Sequence, residues 1–348
     1  MAGAIAICQV HHMIECIFTV DYEIYGNGEG SLRELVYEPA EKLKTVFQKW
    51  NSRCVVFVEA AELEVIGAQG ADPAIDLVEQ QIREFHREGF EIGLHLHPQW
   101  YNAHRNGTQW QLDYSEYNLC RLHPERIEQI VDRSISYLRK VLGAPVYSPL
   151  SFRAGNWLLQ PTGAVAKSLA GHGIKIDSSV FKGGLQHQYD LDYRRSLKNG
   201  YYWAFSEDVN VPDPQGNLLE IPTFAKMVPM WEMFTSKRIG LQQKSPAKVK
   251  RLQTKLRRLR DFARFRYPMK LDFCRLTAPE MIAMFDREMQ KDQKNPALLR
   301  PIVAIGHTKD LADLETIDAF LSHLRSNGVS VCTFTDVHDK LIKGCKRS

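Results

Sequence analysis

Short apolar segments of strand type alternate along the chain with longer segments of helical periodicity, and this alternation restricts the fold more than any other feature. A strand that is apolar on both faces is typical of a parallel sheet covered by helices. Seven or eight such units predict a closed or nearly closed α/β barrel rather than an open sheet. The predicted strands are residues 14–21, 54–58, 90–95, 151–153, 174–176, 218–221, 302–305 and 329–334, and predicted helices at 34–50, 72–88, 123–142, 161–171 and 311–327 separate some of them.

The composition agrees with a large globular domain and restricts the environment of the chain. Its 348 residues are 44% hydrophobic and 25% charged, which is ordinary for a globular protein. The seven cysteines include no Cys-x-x-Cys pair, which argues against a thiolate zinc site and favours reduced thiols. We expect no secretory leader and no membrane-spanning helix, since no apolar run approaches about 20 residues. The sequence therefore predicts a cytoplasmic protein and leaves peripheral attachment to the inner leaflet open.

Polar residues stand at the carboxyl ends of the predicted strands, where α/β barrels place their chemistry. His95 and His97 are two residues apart, so their side chains point to the same face of a strand. Neutral imidazole is the commonest metal ligand, and Asp21 or Glu23 can supply a carboxylate from another strand end. We therefore expect one divalent ion, zinc first and nickel or cobalt as alternatives. The structural alternative is that these residues are ordinary polar side chains at the rim of the barrel and bind no metal. The other polar residues at strand ends are Glu59, Arg153, Asp177, Glu220 and His307.

Five short motifs in a fixed order resemble those of the polysaccharide deacetylase family, in a divergent branch. They are Thr19-Val20-Asp21-Tyr22-Glu23, Glu91-Ile92-Gly93-Leu94-His95-Leu96-His97, Arg153-Ala154-Gly155-Asn156-Trp157, Asp177-Ser178-Ser179 and Ile305-Gly306-His307-Thr308. The resemblance covers residues 14–340 and implies a distorted (β/α)7-type barrel. It also implies the metal-dependent removal of acetyl groups from glycans.

The chain departs from the family's pattern at two positions. The family's first motif has two adjacent aspartates, a base and then a metal ligand, whereas here Tyr22 follows Asp21 and Glu23 is the nearest replacement. The resemblance therefore leaves open which of Asp21 and Glu23 is the base and which holds the metal. The family spaces its two histidines four residues apart; because Gln99 occupies the later position, we expect His97 to serve instead.

The resemblance also suggests roles for three further residues. His307 would protonate the leaving amine or alkoxide, Arg153 would orient a carboxylate, and Asp177 would hold His307 in position. Each residue has a structural alternative. His307 could stand at a helix N-terminus without catalytic use, Arg153 could form a structural ion pair, and Asp177 could cap a turn through Ser178 and Ser179.

A basic segment interrupts the alternation of strands and helices. Residues 236–270 contain 13 lysines and arginines and one acidic residue, Asp261, which gives 13 − 1 = +12. Apolar residues spaced three and four apart within 246–265 predict a basic amphipathic helix inserted into the barrel. Such a helix could pack on the barrel, attach to an anionic membrane surface or contact an anionic glycan. No recognition motif accompanies the charge, so we expect no nucleic-acid partner.

These observations predict a metal-dependent deacetylase that hydrolyses an N-acetyl group on a carbohydrate substrate, with an O-acetyl group as the alternative. The expected setting is envelope polysaccharide or glycolipid metabolism. The first alternative is a non-catalytic carbohydrate-binding barrel derived from a deacetylase. The second is an amidase or a glycosidase on a similar barrel, and a glycosidase would need two facing carboxylates about 5–10 Å apart.

Overall fold

A computed structural model of the chain describes residues 13–107, 109–233 and 265–345. Its strands are β1 Ile14–Tyr22, β2 Val55–Glu59, β3 Glu91–Leu96, β4 His104–Asn106, β5 Gln109–Gln111, β6 Ser151–Ala154, β7 Ile176–Asp177, β8 Leu185–Gln186, β9 Leu191–Asp192, β10 Trp203–Phe205, β11 Leu218–Glu220, β12 Ala225–Pro229, β13 Arg266–Lys270, β14 Arg300–His307 and β15 Ser330–Cys332. The α-helices of these ranges are α1 Glu38–Lys49, α2 Ala60–Ala68, α3 Ile75–Arg87, α4 Pro124–Leu142, α5 Gly163–Gly171, α6 Ala278–Lys294, α7 Leu314–Ser326 and α8 Phe334–Cys345.

A nine-stranded sheet in the order β10-β11-β7-β6-β3-β2-β1-β14 forms the centre, with β15 paired to the start of β1. Its strands run parallel except for the β10–β11 pair. Thr223 forms parallel bridges with both Phe181, which follows β7, and Val303 of β14. These bridges connect the two sides of the curled sheet. The prediction of a distorted (β/α) barrel is therefore confirmed.

The alternation of side chains along the strands separates two hydrophobic cores. In β1, Phe18 and Val20 belong to the large outer core beneath the helices, whereas Ile17 belongs to a smaller inner core. Residues from the far end of the chain, in β15 and α8, complete that inner core. Its buried members are Ile17, Val55, Phe57, Ile176, Ile221, Leu299, Val303, Cys332, Phe334 and Val337.

The predicted basic insertion is only partly within the described ranges. Strands β12 and β13 form an antiparallel hairpin, so residues 266–270, the end of the predicted insertion, are a strand and not a helix. Residues 246–264, nearly all of the predicted amphipathic helix, lie outside the described residues, and that helix stays a prediction. None of the helices within the described ranges has the length and apolar character needed to cross a membrane.

Candidate functional site

Parallel pairing brings the predicted site residues together at the carboxyl ends of the strands. Asp21 of β1 is in register with His307 of β14, and His95 of β3 is in register with Arg153 of β6. All but His307 have less than a tenth of their surface exposed. The barrel mouth therefore places acid, base and cation in one confined space, as α/β barrels do.

The side-chain alternation at the end of β1 explains why Glu23, and not residue 22, meets the histidines. Tyr22 points away from Asp21 and Glu23, and its hydroxyl donates a hydrogen bond to Gln81 of α3. An aspartate at position 22 would also point outward, away from the histidines. Glu23, two residues after Asp21, lies on the same side as Asp21 and reaches the site.

Glu23, His95 and His97 bring three ligand atoms to one point. Oε2 of Glu23 lies 3.6 Å from Nε2 of His95 and 3.1 Å from Nε2 of His97. The candidate ligand atoms of the three residues lie within 4.8 Å of one another. Oε2 is buried and has no hydrogen-bond partner of adequate geometry within the described residues, so these atoms face a common space. One carboxylate and two imidazoles suit zinc and related ions, and the residues fit a divalent metal.

Neighbouring groups fix the orientation of both imidazole rings. Nδ1 of His95 lies 2.9 Å from the backbone carbonyl oxygen of Arg153. A carbonyl can only accept, so Nδ1 carries a proton. Burial alone would lower the pKa of His95, but Asp21 and Glu23 raise it to about 9, so Nε2 is also protonated at neutral pH and a metal would bind there by displacing that proton.

Nδ1 of His97 lies 3.1 Å from Nδ2 of Asn156 and 3.4 Å from Nε2 of Gln99. With the Asn156 amide turned over, its oxygen accepts a hydrogen bond from Nδ1–H of His97. The proton of the neutral ring then lies on Nδ1, and Nε2 is free to bind a metal.

The turn after β6 approaches His97 unusually closely. A Cβ atom on Gly155 would lie 2.5 Å from the carbonyl oxygen of Leu96 and 2.7 Å from Nδ1 of His97, so only glycine fits. Asn156 and Trp157 both have left-handed backbone conformations, with φ of 54° and 68°. Non-glycine residues in this region are strained, and such strain is concentrated at functional sites. Here it brings the Asn156 amide against a candidate metal ligand.

Lys309 is a site residue that the sequence analysis missed. Its Nζ lies 2.7 Å from Oε1 of Glu23, the oxygen that does not face the histidines. Burial alone would raise the pKa of Glu23, but Lys309 and His97 hold that pKa well below its usual range. Glu23 is therefore ionised, with one oxygen paired and the other directed at the ligand space. The available signal was the position of Lys309, two residues after His307 at the same strand end.

Asp21 lies between a fully buried arginine and a histidine. Its Oδ1 is 2.7 Å from Nη1 of Arg153, and its Oδ2 is 3.3 Å from Nε2 of His307. Burial favours a raised pKa for Asp21, but Arg153, His95 and His307 together lower it below the ordinary value. Burial lowers the pKa of His307, and Asp21 opposes this effect. At neutral pH the pair is therefore a carboxylate beside a neutral imidazole.

Arg153 both orients Asp21 and supports the barrel interior. Its Nη2 donates to Oγ1 of Thr19 at 2.9 Å, and its Nε donates to the backbone oxygen of Ser178 at 3.1 Å. The guanidinium carbon lies 4.3 Å from the ring centre of Phe57. These contacts hold the guanidinium in one position. Its ion pair with Asp21 is therefore part of the barrel structure and at the same time orients the Asp21 carboxylate, so the two interpretations of Arg153 are compatible.

Asp177 does not contact His307, contrary to the expected arrangement. Its carboxylate accepts hydrogen bonds from the backbone N and the hydroxyl of Ser179. No hydrogen bond or ion pair joins Asp177 to His307 in the described part of the chain. Asp177 follows the turn-cap alternative, because its short side chain reaches the backbone two residues on. Asp21 is the carboxylate that contacts His307.

Two further buried carboxyl groups lie behind the ligand space. Glu59 is fully buried, and burial raises its pKa to about 8, with His95 opposing the shift. Its Oε1 accepts from the backbone N atoms of Ala61 and Glu62 and so caps α2. Burial also raises the pKa of Glu62 well above its ordinary value. Glu59 was visible in the sequence as a strand-end acid, but nothing in the sequence marked Glu62.

Comparison with known proteins identifies similar folds but no relative by sequence. No protein-family model matches the chain, and neither does any curated protein. A Mycobacterium smegmatis protein named as a polysaccharide deacetylase aligns at 15% identity and a TM-score of 0.54, over 96% of this chain and 91% of that one. A GH57-type branching enzyme from Pyrococcus horikoshii aligns at 11% identity and a TM-score of 0.53, over 94% of this chain and 70% of that one.

A Pseudomonas aeruginosa protein also named as a polysaccharide deacetylase aligns at 12% identity and a TM-score of 0.49, over 94% of this chain and 90% of that one. At such identities the likeness concerns the fold alone. The likeness to the Mycobacterium smegmatis structure confirms the fold that the five motifs implied. The activity has to be argued from the residues at the barrel mouth.

Proposed function

We propose that this protein is a metal-dependent deacetylase that hydrolyses an N-acetyl group on a sugar or glycan, with an O-acetyl ester as the alternative substrate. The proposal depends on one observation, the convergence of Oε2 of Glu23 with Nε2 of His95 and His97. A fold similar to that of one protein named as a polysaccharide deacetylase supports a carbohydrate substrate. The role in envelope polysaccharide or glycolipid metabolism and the membrane contact of residues 246–265 stay predictions from the sequence.

Glu23, His95 and His97 would hold the ion, zinc first and nickel or cobalt as alternatives. A divalent ion supplies Lewis acidity, which makes water more acidic and polarises an acyl oxygen. The chain's own contribution is a buried site with preset ligands. Lys309 and the carbonyl of Arg153 hold Glu23 and His95 in place from behind.

Asp21 and His307 would move the proton. The ionised Asp21 accepts a proton from the water that attacks the acyl carbon, while Arg153 keeps its carboxylate oriented. Since neutral imidazole is a better base than a carboxylate of such low pKa, the proton moves to Nε2 of His307, 3.3 Å away. His307 then donates it to the leaving nitrogen as the C–N bond breaks. Acetic acid and a free amine leave, and both residues return to their starting states. At neutral pH the acetic acid then loses its proton to the amine or to solvent, which gives acetate.

The same residues argue against glycoside hydrolysis, which the likeness to a branching enzyme brings into consideration. A glycosidase needs one carboxylic acid that stays protonated to act as general acid. The two acids at the end of β1 have cationic partners, Arg153 for Asp21 and Lys309 for Glu23, and both have lowered pKa values. Neither holds a proton at neutral pH, and Glu59, which does, is fully buried and caps α2.

Metal analysis and acetate release together test the proposal. We expect about one divalent ion per purified chain, lost in His95→Ala and kept in His123→Ala, a variant of an exposed histidine. Acetate should be released from members of a panel of N-acetylated sugars, free and lipid-linked. Asp21→Asn should lower that rate about 100-fold or more.

Three results would contradict parts of this proposal. A wild-type protein that binds no zinc, nickel or cobalt between pH 6 and 9 would favour the non-catalytic carbohydrate-binding barrel. A protein that binds metal but releases acetate from no N- or O-acetylated sugar would favour an amidase with another substrate. Equal metal loss in the His95 and His123 variants would show that the site has been misplaced.

A further inference from the structure

Lys270, the last residue of β13, holds its ammonium group over two aromatic rings at the edge of the site. Nζ lies 4.0 Å from the ring centre of Trp157 and 4.8 Å from that of Phe181. The Trp157 ring is also 5.6 Å from the guanidinium carbon of Arg153, which holds Asp21. A single aromatic ring therefore separates Lys270 from the arginine that orients the proposed base.

Lys270 differs from the other cations around the barrel mouth. Within the described residues, no hydrogen bond or ion pair joins its ammonium to a carboxylate, although the side chain is partly buried. Three other cations each contact a carboxylate at short range. These pairs are Arg153–Asp21 at 2.7 Å, Lys309–Glu23 at 2.7 Å and Arg275–Asp310 at 2.9 Å.

The energetics of this arrangement favour an anionic partner for Lys270. Taking a cation out of water without an anion is costly, and a cation–π contact returns only part of that cost. Burial lowers the pKa of Lys270 to about 8, with Asp272 opposing the shift, so the amine is still protonated at pH 7. A carboxylate or phosphate would supply the missing charge through a strong charge-assisted hydrogen bond.

We propose that Lys270, on its platform of Trp157 and Phe181, binds an anionic group of the substrate, a carboxylate or a phosphate carried on or next to the N-acetylated sugar. This inference rests on the proposed deacetylase function and adds the charge of the substrate to it. The anion would lie on the side of the site where Trp157 separates Arg153 from Lys270. Among the described residues, no carboxylate pairs with Lys270 there. An acidic sugar would then be preferred over its neutral counterpart.

Three sugars with the same acetamide test this inference. They are the methyl glycoside of N-acetylglucosamine, the corresponding uronic acid and the same sugar carrying a phosphate. For wild type we expect a kcat/KM about 10- to 100-fold higher for an anionic sugar than for the neutral one, as a charged hydrogen bond provides. Lys270→Met should remove this preference through KM, and Lys270→Arg should restore most of it. Lys226→Met, on the neighbouring strand of the hairpin, is the matched control and should keep the preference.

The outcomes separate this inference from the proposed function. Equal loss of kcat/KM for anionic and neutral sugars in Lys270→Met would overturn it, because Lys270 would then only support Trp157. Equal kcat/KM of the wild type for anionic and neutral sugars would also overturn it. A preference for only the uronic acid or only the phosphorylated sugar shows which anion Lys270 binds. If no sugar is hydrolysed, binding of the three sugars is measured by calorimetry. Anion-selective binding that Lys270→Met abolishes supports the inference, and unselective binding overturns it.

Discussion

Replacing Glu59 by glutamine should stabilise the fold, by an amount that depends on pH. Glu59 keeps its proton up to about pH 8 in the folded state, against an ordinary pKa of 4.5. Between these values the folded state binds one proton more than the unfolded state, so stability falls as the pH rises, by about 1.4 kcal/mol per unit. The cost at pH 7, which is 7 − 4.5 = 2.5 units above 4.5, is about 3 kcal/mol.

Glutamine removes this cost because it is neutral at every pH and can still accept the hydrogen bonds that cap α2. The free energy of unfolding should be measured by urea titration at pH 5, 6, 7 and 8, with a chelator present. We expect a gain of less than about 1 kcal/mol at pH 5 and about 3 kcal/mol at pH 7.

A matched control comes from the same helix. Glu64 of α2 pairs with Arg133 at the surface, and Glu64→Gln should change the free energy of unfolding by less than about 1 kcal/mol at every pH. If the gain from Glu59→Gln is the same at pH 5 and pH 7, Glu59 is not a protonated buried carboxyl group and the reasoning fails.

Three further substitutions test the site and its surroundings. Arg153→Met should lower the free energy of unfolding, measured by urea titration, by about 3–5 kcal/mol, because it leaves the Asp21 carboxylate buried without its cation. Adding Asp21→Asn should restore part of this lost stability, and no recovery in the double variant would refute the ion pair. Asn156→Ala should weaken zinc binding about 10- to 100-fold in calorimetry because His97 loses its orienting partner; unchanged affinity would show that the amide does not orient the ring. Tyr22→Phe should cost about 1–3 kcal/mol of stability and leave zinc affinity unchanged; reduced affinity would mean that Tyr22 faces the site after all.

Local pattern was sufficient for the strands that position the site. Predicted strands 54–58 and 90–95 differ from β2 and β3 by a single residue at either end, because continuous apolar runs mark buried parallel strands. The β12–β13 hairpin was not predicted. Its partners, Ala225–Pro229 and Arg266–Lys270, are partly polar and far apart in sequence, so neither periodicity nor a short turn indicated their pairing.

The candidate ligands were predictable, but the division of roles was not. The spacing of His95 and His97 indicated a shared face of one strand. Whether Asp21 or Glu23 meets those histidines depends on which cation contacts each acid. Those cations, Arg153 and Lys309, are 132 and 286 residues away along the chain. Only the folded barrel shows these distant pairings.

The pairing of β1 with β14 has a consequence for how the protein is made. Ile14 pairs with Arg300, so one edge of the first strand waits for a partner that is synthesised 300 − 14 = 286 residues later. At ribosomal rates of about 5–20 residues per second, this edge stays open for roughly 15 to 60 s. The inner core is completed later still, by Phe334 and Val337 near the end of the chain. The nascent chain therefore exposes an apolar strand edge until β14 has been made, and such an open edge is the kind of surface that promotes aggregation.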